Sequence, residues 1–162
     1  MAKGERIGIF GGSFDPVHLG HLILAQMACE ELDLRRVYFV PTAVPPHKID
    51  RELTPFELRV KMLQLAIEGN EDFEISLIEN RETPSYTYET ILQFRKAGYS
   101  KDELHLLVGS DSLNDMGKWR EPEKIFANAT IVSMMRPGYE DIPSLACLLY
   151  TSDAADEGLG VD

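Results

Sequence analysis

Residues 8–21, which read GIFGGSFDPVHLGH, constrain the fold of this 162-residue chain more than any other stretch. They join an apolar strand, a glycine turn and a helix start. Gly11 and Gly12 lack a Cβ, so the backbone can turn tightly there and approach a ligand closely. Asp15 and Pro16 form a favourable helix opening, with the aspartate as N-cap and the proline in the first turn.

Two histidines stand at this predicted helix start. His18 and His21 are three residues apart, so they share a face of a helix. Unpaired backbone amides, the positive end of the helix dipole and two imidazoles would converge just beyond the strand. The stretch therefore predicts an anion site. For the glycine pair alone, the alternative is an ordinary strand-to-helix turn with partly exposed histidines.

The string SFDPVHLGH is more specific than a glycine pair, and it resembles the signature of the HxGH nucleotidylyltransferase superfamily. That resemblance implies ATP binding and adenylyl transfer. Six ATP contacts are implied in this stretch, at Gly11, Gly12, Ser13, Phe14, His18 and His21.

Composition and charge indicate an ordinary domain and argue against broad nucleic-acid binding. The net charge is −11, and residues 139–162 hold six acids and no Lys or Arg, which leaves 16 basic and 21 acidic residues before them, a net charge of −5. A nucleic-acid-binding surface would be basic. Without a long apolar segment or a basic leader, we expect a cytoplasmic, unanchored protein. Cys29 and Cys147 provide no disulfide framework or metal spacing.

Alternating strand-like and helix-like segments predict an α/β domain of the Rossmann-like, doubly wound type. It would have a mostly parallel five-stranded sheet with helices on both faces. The strands are predicted in the opening apolar run and at residues 37–40, 73–78, 104–108 and 129–135. The helices are predicted at residues 19–32, after Thr54, and at residues 87–97 and 121–126. Ligands of such sheets bind beyond the carboxyl ends of the strands, where the loops GGSFDPVH, PTAVPPHK, GSDS and RPG follow.

Periodicity and capping residues predict the orientation of the helices. Thr54 is expected to cap the second helix, with Pro55 in its first turn, and Thr87 to cap the third. The apolar positions expected to share the core face are Leu22, Ile23, Met27 and Leu32 in the first helix, and Leu58, Met62, Leu65 and Ala66 in the second.

Five motifs in order resemble the bacterial nicotinate-nucleotide adenylyltransferases, across roughly residues 6–138 of the single domain. They are GGSFDPVHLGH, PPHK, ENRETPSYTYET, GSDSLNDMGKW and RPG. The resemblance implies that the phosphate of nicotinate mononucleotide attacks the α-phosphorus of ATP, giving nicotinate adenine dinucleotide and pyrophosphate in NAD biosynthesis. A phosphate nucleophile is already ionised at neutral pH, so positioning and charge stabilisation suffice without a general base.

The same resemblance implies the remaining site residues. His18, His21 and Lys48 would be catalytic, and Gly109 and Asp111 would contact ATP. Nicotinate mononucleotide would be bound by Lys48, Ser85, Tyr86, Thr87, Trp119 and Arg136. The helix start at Thr87 would receive the nicotinate carboxylate and Trp119 would stack on the pyridine ring. Mg²⁺ would be bound through the ATP phosphates, with no metal motif in the protein.

Three of these residues also have a plain structural interpretation. Lys48 could be a solvated loop lysine, Trp119 a partly buried core aromatic and Asp111 a local cap. Arg59 and Arg81 are expected to form ion pairs or to support the site indirectly. Two other functions stay open: another HxGH transferase, such as a phosphopantetheine adenylyltransferase or a cytidylyltransferase, and a nucleotide-binding module without turnover.

The tail departs from the family pattern. Residues 1–138 are predicted to form the nucleotidylyltransferase core and residues 139–162 an atypical acidic tail. Family members continue with further elements and a Ser/Thr-rich motif whose arginine embraces the ATP phosphates, and no such motif follows here. Residues 147–157, CLLYTSDAADE, can be back-translated into a sequence that resembles the transposon-end adapter of sequencing libraries. We therefore expect the chain to be non-native from Cys147, which resequencing of the source locus would test.

Overall fold

A computed structural model describes residues 5–44, 52–80, 84–113, 115–134 and 147–150. The strands are β1 Ile7–Gly12, β2 Arg36–Pro41, β3 Phe73–Ile75, β4 Leu104–Gly109, β5 Thr130–Met134 and β6 Cys147–Tyr150. The helices are α1 Leu19–Glu31, α2 Phe56–Ile67, α3 Thr87–Lys96, α4 Ser110–Leu113 and α5 Pro122–Asn128, with short 3₁₀ turns at Lys101–Glu103 and Met116–Lys118.

The strands form one sheet in the order β3-β2-β1-β4-β5-β6. All pairs from β1 to β5 are parallel, and β1 lies between β2 and β4, so the chain order reverses beside β1. The predicted fold class is confirmed. The sheet has one strand more than the predicted five, because Cys147–Tyr150 pairs antiparallel with β5. That strand lies in the segment that we expected to be non-native.

Two apolar layers cover the two faces of the sheet. Phe10 packs with residues of α1 and α2 on one face. Ile7 and Ile9, which point the other way along the same strand, pack with Ile91 of α3 and Ile125 of α5. This alternation follows from the two-residue period of a strand. Both faces of β1 are therefore buried, as expected for the central strand of a doubly wound sheet.

The start of α1 differs from the prediction. The helix begins at Leu19 and its N-cap is His18. Asp15 precedes a cis peptide bond to Pro16, and its Oδ2 accepts a hydrogen bond of 2.9 Å from the Thr54 N–H. The predicted capping role of Asp15 is therefore wrong. Its carboxylate instead ties the loop after β1 to the segment that leads into α2.

The predicted core face of α2 is wrong at two of its four positions, since only Met62 and Ala66 are half-buried. Leu58 and Leu65 are exposed, whereas Arg59, Val60 and Leu63 are buried. The Arg59 side chain points inward and donates hydrogen bonds to backbone carbonyls. Val60, next to it, and Leu63, four residues further along the helix, therefore also face the sheet.

The capping predictions are displaced by single residues. Pro55 rather than Thr54 is the N-cap of α2, and Tyr86 rather than Thr87 is the N-cap of α3. In α1 and at its C-cap, Leu22, Met27 and Leu32 pack against the core as predicted, whereas Ile23 is exposed and Leu24 is buried. At Ile23 and Leu24, tertiary packing overrides the local pattern.

Cys29 is buried in α1, and its Sγ donates to the Leu34 carbonyl at 3.2 Å. Burial raises the pKa of this thiol to about 11, so it stays protonated at neutral pH. Within the ranges that the structure describes, no helix is long and apolar enough to cross a membrane.

Candidate active site

A cleft of about 650 Å³ opens at the carboxyl edge of the sheet, where the strand order reverses between β1 and β4. Ligands of open α/β sheets bind at this kind of position. The predicted residues that line the cleft are Gly11, Gly12, His18, His21, Ser85, Thr87, Gly109 and Trp119. Residues from both halves of the chain therefore meet at one edge of the sheet.

The two histidines form a stacked pair at the start of α1. Their ring centroids are 3.8 Å apart and the ring planes differ by 22°. The backbone N–H of His18 donates to Nδ1 of His21 at 3.1 Å. Because Nδ1 is an acceptor, this hydrogen bond assigns the proton of a neutral His21 ring to Nε2. His21 therefore has an Nε2–H donor whose tautomer is set by the helix start.

Packing fixes the orientation of the pair. The His21 ring lies edge-to-face against Phe10 at 5.8 Å and Phe14 at 5.0 Å. A Cβ placed on Gly20 would lie 2.9 Å from Cε1 of His18. Glycine between the histidines therefore gives the His18 ring room to fold over the first turn and stack on His21.

The strand ends leave backbone accessible to a ligand. A Cβ on Gly109 would meet no described atom within 4 Å, and one on Gly11 would meet only the Val40 carbonyl, at 3.8 Å. Ser13 and Phe14, which we expected at the nucleotide, do not line the cleft. Phe14 is buried in the core beneath it.

Arg59 lies under the loop after β1 and is only 1% exposed. Its Nε donates to the Thr54 carbonyl at 2.7 Å, and its NH1 donates to the carbonyls of Ser13 and Thr42, each at 2.8 Å. Burial lowers the pKa of the guanidinium, and the Asp15 carboxylate raises it in part. One arginine therefore joins the glycine loop, the end of β2 and the start of α2.

Glu79 is a buried carboxylate that lines the cleft. Oε2 accepts a hydrogen bond of 2.5 Å from the Thr90 hydroxyl of α3, and Oε1 accepts one of 3.2 Å from the Thr42 hydroxyl. The Ser85 N–H donates to the Val44 carbonyl at 3.2 Å. These contacts hold the start of α3 against the end of β2. Glu79 lies in a motif that resembles the family, yet no sequence pattern marks it as buried.

A second cavity of about 720 Å³ adjoins the first. It is lined by Tyr86, Thr87, Ser112, Asp115, Lys118, Trp119 and Arg120. Thr87, Ser112 and Trp119 also line the cleft, so the two spaces are adjacent and share these residues as a wall. Three residues predicted to bind the mononucleotide, Tyr86, Thr87 and Trp119, lie together here. Sequence reasoning missed Arg120, although it directly follows Trp119.

Several predicted residues cannot be compared with the structure. Lys48 and Arg136 lie outside the described residues, as does Arg81. Asp111 belongs to α4, but its side chain is not described. In the described ranges, no group of three or more His, Cys, Asp or Glu side chains could hold a metal ion.

The sequence matches the model of the cytidylyltransferase-like family over residues 9–157. A Thermomicrobium roseum protein, named a probable nicotinate-nucleotide adenylyltransferase, is 48% identical over 137 residues, which is 84% of this chain and 64% of that protein. A protein of the same name from Bacillus cereus is 44% identical over 136 residues, covering 83% of this chain and 71% of its own length. This chain therefore spans about two thirds of the length of these relatives.

The fold also resembles solved structures. The nicotinic acid mononucleotide adenylyltransferase of Plasmodium falciparum in complex with NaAD superposes with a TM-score of 0.67 at 21% identity, covering 85% of this chain and 68% of the other. Its complex with APC gives the same TM-score at 20% identity, covering 85% and 67% of the two chains. These likenesses show a shared fold.

Proposed function

Because the chain belongs to the nicotinate-nucleotide adenylyltransferase family, among the cytidylyltransferase-like proteins, we propose that it transfers the adenylyl group of ATP to nicotinate mononucleotide. An oxygen of the mononucleotide phosphate attacks the α-phosphorus of ATP. The bond from that phosphorus to the oxygen that bridges to the β-phosphorus breaks, and pyrophosphate leaves. The other product is nicotinate adenine dinucleotide, an intermediate of NAD biosynthesis.

The observation that carries this proposal is that two adjacent cavities share Thr87, Ser112 and Trp119 as lining residues. One contains the stacked imidazoles and the glycine strand ends, and the other contains the indole and phenol rings beside the start of α3. A transfer between two nucleotides needs neighbouring sites that open into each other, so that the reacting phosphates can meet. A site for one nucleotide alone would not need the second space.

In this proposal the protein positions the phosphates and stabilises charge. Nε2–H of His21, with its tautomer set by the His18 N–H, donates to a phosphate oxygen of ATP, and the exposed His18 ring donates beside it. Gly11, Gly12 and Gly109 let the nucleotide approach the strand ends. Donors aimed at charge that develops during transfer are among the largest contributions to enzymatic rate.

The remaining contacts in the proposal come from the family resemblance. Lys48 and Arg136 contact phosphates, and Asp111 accepts from a ribose hydroxyl. Ser85, Tyr86 and Thr87 receive the nicotinate group, and Trp119 stacks on its pyridine ring. Mg²⁺ belongs to the substrate, as an ion bound to the ATP phosphates and water. The partners are small nucleotides, and the proposed place of action is the cytoplasm, where ATP is available.

Pyrophosphate release from a substrate panel tests the proposal. The purified chain is given ATP or CTP together with nicotinate mononucleotide, nicotinamide mononucleotide or 4′-phosphopantetheine. We expect pyrophosphate with ATP and nicotinate mononucleotide, and formation of the dinucleotide in equal amount. Turnover only with phosphopantetheine or CTP would contradict the proposal, as would ATP binding without product from any acceptor.

A further inference from the structure

Two cations that have no role in the proposal so far line the second cavity, Lys118 and Arg120. Arg120 is the better placed of the two. Its guanidinium carbon lies over the Tyr86 ring, 4.4 Å from the ring centroid, well inside the range of a cation–π contact. Tyr86 is the N-cap of α3, and Arg120 follows Trp119 after the Met116–Lys118 turn. The contact therefore joins two separate segments that both line the cavity.

Stacking on an aromatic ring leaves the in-plane edge of a guanidinium available for hydrogen bonds. Its N–H groups form a fork that matches the two oxygens of a carboxylate. Among the ion pairs between described residues, none involves Arg120. Its partner in the described part of the chain is the Tyr86 ring, which orients the fork without neutralising its charge.

We propose that Arg120 determines the preference for the acid over the amide, by binding the carboxylate of nicotinate and gaining nothing comparable from the neutral carboxamide of nicotinamide. This inference rests on the proposed function of the cavity. The two mononucleotides share the ribose, the phosphate and the pyridine ring, so one charged group is the main difference between them. Thr87, in the first turn of α3, lines the same cavity, and the positive end of that helix favours the same charge.

The same cation could instead contact the mononucleotide phosphate, and Asp115 lines the cavity as an opposing charge. A phosphate contact acts on both mononucleotides alike, because both carry the phosphate. Asp115 would repel the nicotinate carboxylate as well, but it is unchanged in the Arg120 variants, so its effect cancels when they are compared with the parent chain. Only a contact to the nicotinate carboxylate separates them. The ratio of the two substrates is therefore the informative quantity, rather than the loss for either.

The test compares kcat/KM for the two mononucleotides at saturating ATP in the parent chain and in Arg120→Gln, Arg120→Lys and Lys124→Gln. Lys124 is a matched control, because its ammonium lies 5.5 Å from the Tyr88 ring centroid and it does not line the cavity. We expect Arg120→Gln to lower kcat/KM for nicotinate mononucleotide roughly tenfold, mainly through KM, since a contact made by an exposed charge is only moderately strong. Turnover of nicotinamide mononucleotide, or its inhibition constant where turnover is too slow, should stay unchanged.

Arg120→Lys should retain part of the preference because it keeps the charge, and Lys124→Gln should change neither substrate. Equal losses for the two mononucleotides in Arg120→Gln, or no loss for either, would overturn the role of Arg120 and leave the proposed function standing. Failure of the parent chain to adenylylate either mononucleotide would overturn the proposed function, and the role of Arg120 with it. Thermal unfolding of each variant checks that the fold is retained.

Discussion

Imidazole side chains occupy both ends of the sheet, and the two environments are opposite. At the carboxyl edge, His18 is exposed and stacks on His21 beside the cleft. Near the start of β4, at the other end, His105 is only 7% exposed, and its Nδ1 has no hydrogen-bond partner in the described part of the chain. Burial, more than residue type, therefore separates histidines suited to binding from one whose protonation opposes folding.

The arginines at the two ends of the sheet differ in burial in the same way. At the amino end of the strands, which lies opposite the cleft and is called the closed end below, Arg35 pairs with Glu5 at 2.7 Å and Arg36 with Glu74 at 3.1 Å. All four side chains are at least partly exposed to solvent. Under the cleft, Arg59 is buried and donates to three backbone carbonyls. Exposed ion pairs contribute little to stability, whereas buried acceptors are costly to leave unsatisfied. The open edge therefore depends more strongly on a single side chain than the closed one.

The largest expected effect on the free energy of unfolding is that of Arg59→Leu. The substitution leaves the partly buried carbonyls of Ser13, Thr42 and Thr54 without their guanidinium donor, and each such group costs about 1 kcal/mol, the low end of the range for buried groups. We expect the free energy of unfolding to fall by about 3 kcal/mol, measured by urea denaturation.

The matched control is Arg35→Leu at the closed end, which should cost less than about 1 kcal/mol because it breaks an exposed pair. Similar losses in the two variants would remove the contrast between the edges.

A smaller effect is expected for Gly20→Ala, which tests the geometry of the histidine pair. The new Cβ would lie 2.9 Å from Cε1 of His18, so the ring must move. Alanine also has the better helix propensity, by up to about 1 kcal/mol. We expect turnover to fall about tenfold, since small misplacements of catalytic groups are costly, while the urea midpoint is unchanged or rises.

Gly117→Ala is the control, since a Cβ there would meet no described atom within 4 Å and the residue lines neither cavity. Normal turnover in Gly20→Ala would show that the stacked arrangement does not matter for the reaction.

The smallest effect is expected at the closed end. Burial lowers the pKa of His105 below its ordinary value of 6.5. The unfolded chain therefore binds a proton at this position more readily than the folded chain. The stability that depends on neutral His105 is complete above pH 6.5, and it is lost as the pH falls from that value toward the folded-state pKa. The slope is at most about 1.4 kcal/mol per pH unit, for one proton.

Urea denaturation at pH 7.5 and pH 5.5 measures this slope. His105→Leu should lose less stability over that interval than the parent chain, because it has no proton to gain at this position. An identical pH dependence in the two proteins would show that protonation of His105 does not contribute to the pH dependence of stability.

The sequence was sufficient to predict the fold class because strand and helix patterns alternate along the chain and the glycine strand end is distinctive. It also led to the cleft, since residues that follow parallel strands meet at one edge. The structure brings His18, His21, Gly109 and Trp119 to that cleft, and their roles stay predictions.

What the sequence did not reveal depends on contacts between distant residues. Arg59 stands in a helical pattern as one more charged position, and only the fold places three carbonyls around it. Asp15 looks like a helix cap, but its acceptor role at Thr54 spans 39 positions in the chain. The contact of Arg120 with Tyr86 likewise joins segments that no local periodicity relates.

The central claim is that the stacked imidazoles hold the ATP phosphates during transfer, and the turnover number of His18→Ala tests it most directly. His18 is exposed but is the N-cap of α1, so the substitution should lower the free energy of unfolding by no more than about 2 kcal/mol and leave the chain folded. With nicotinate mononucleotide and ATP both saturating, we expect kcat to fall by about 10²–10³, as for loss of one donor to developing charge. A folded His18→Ala variant with near-parental kcat would contradict the claim.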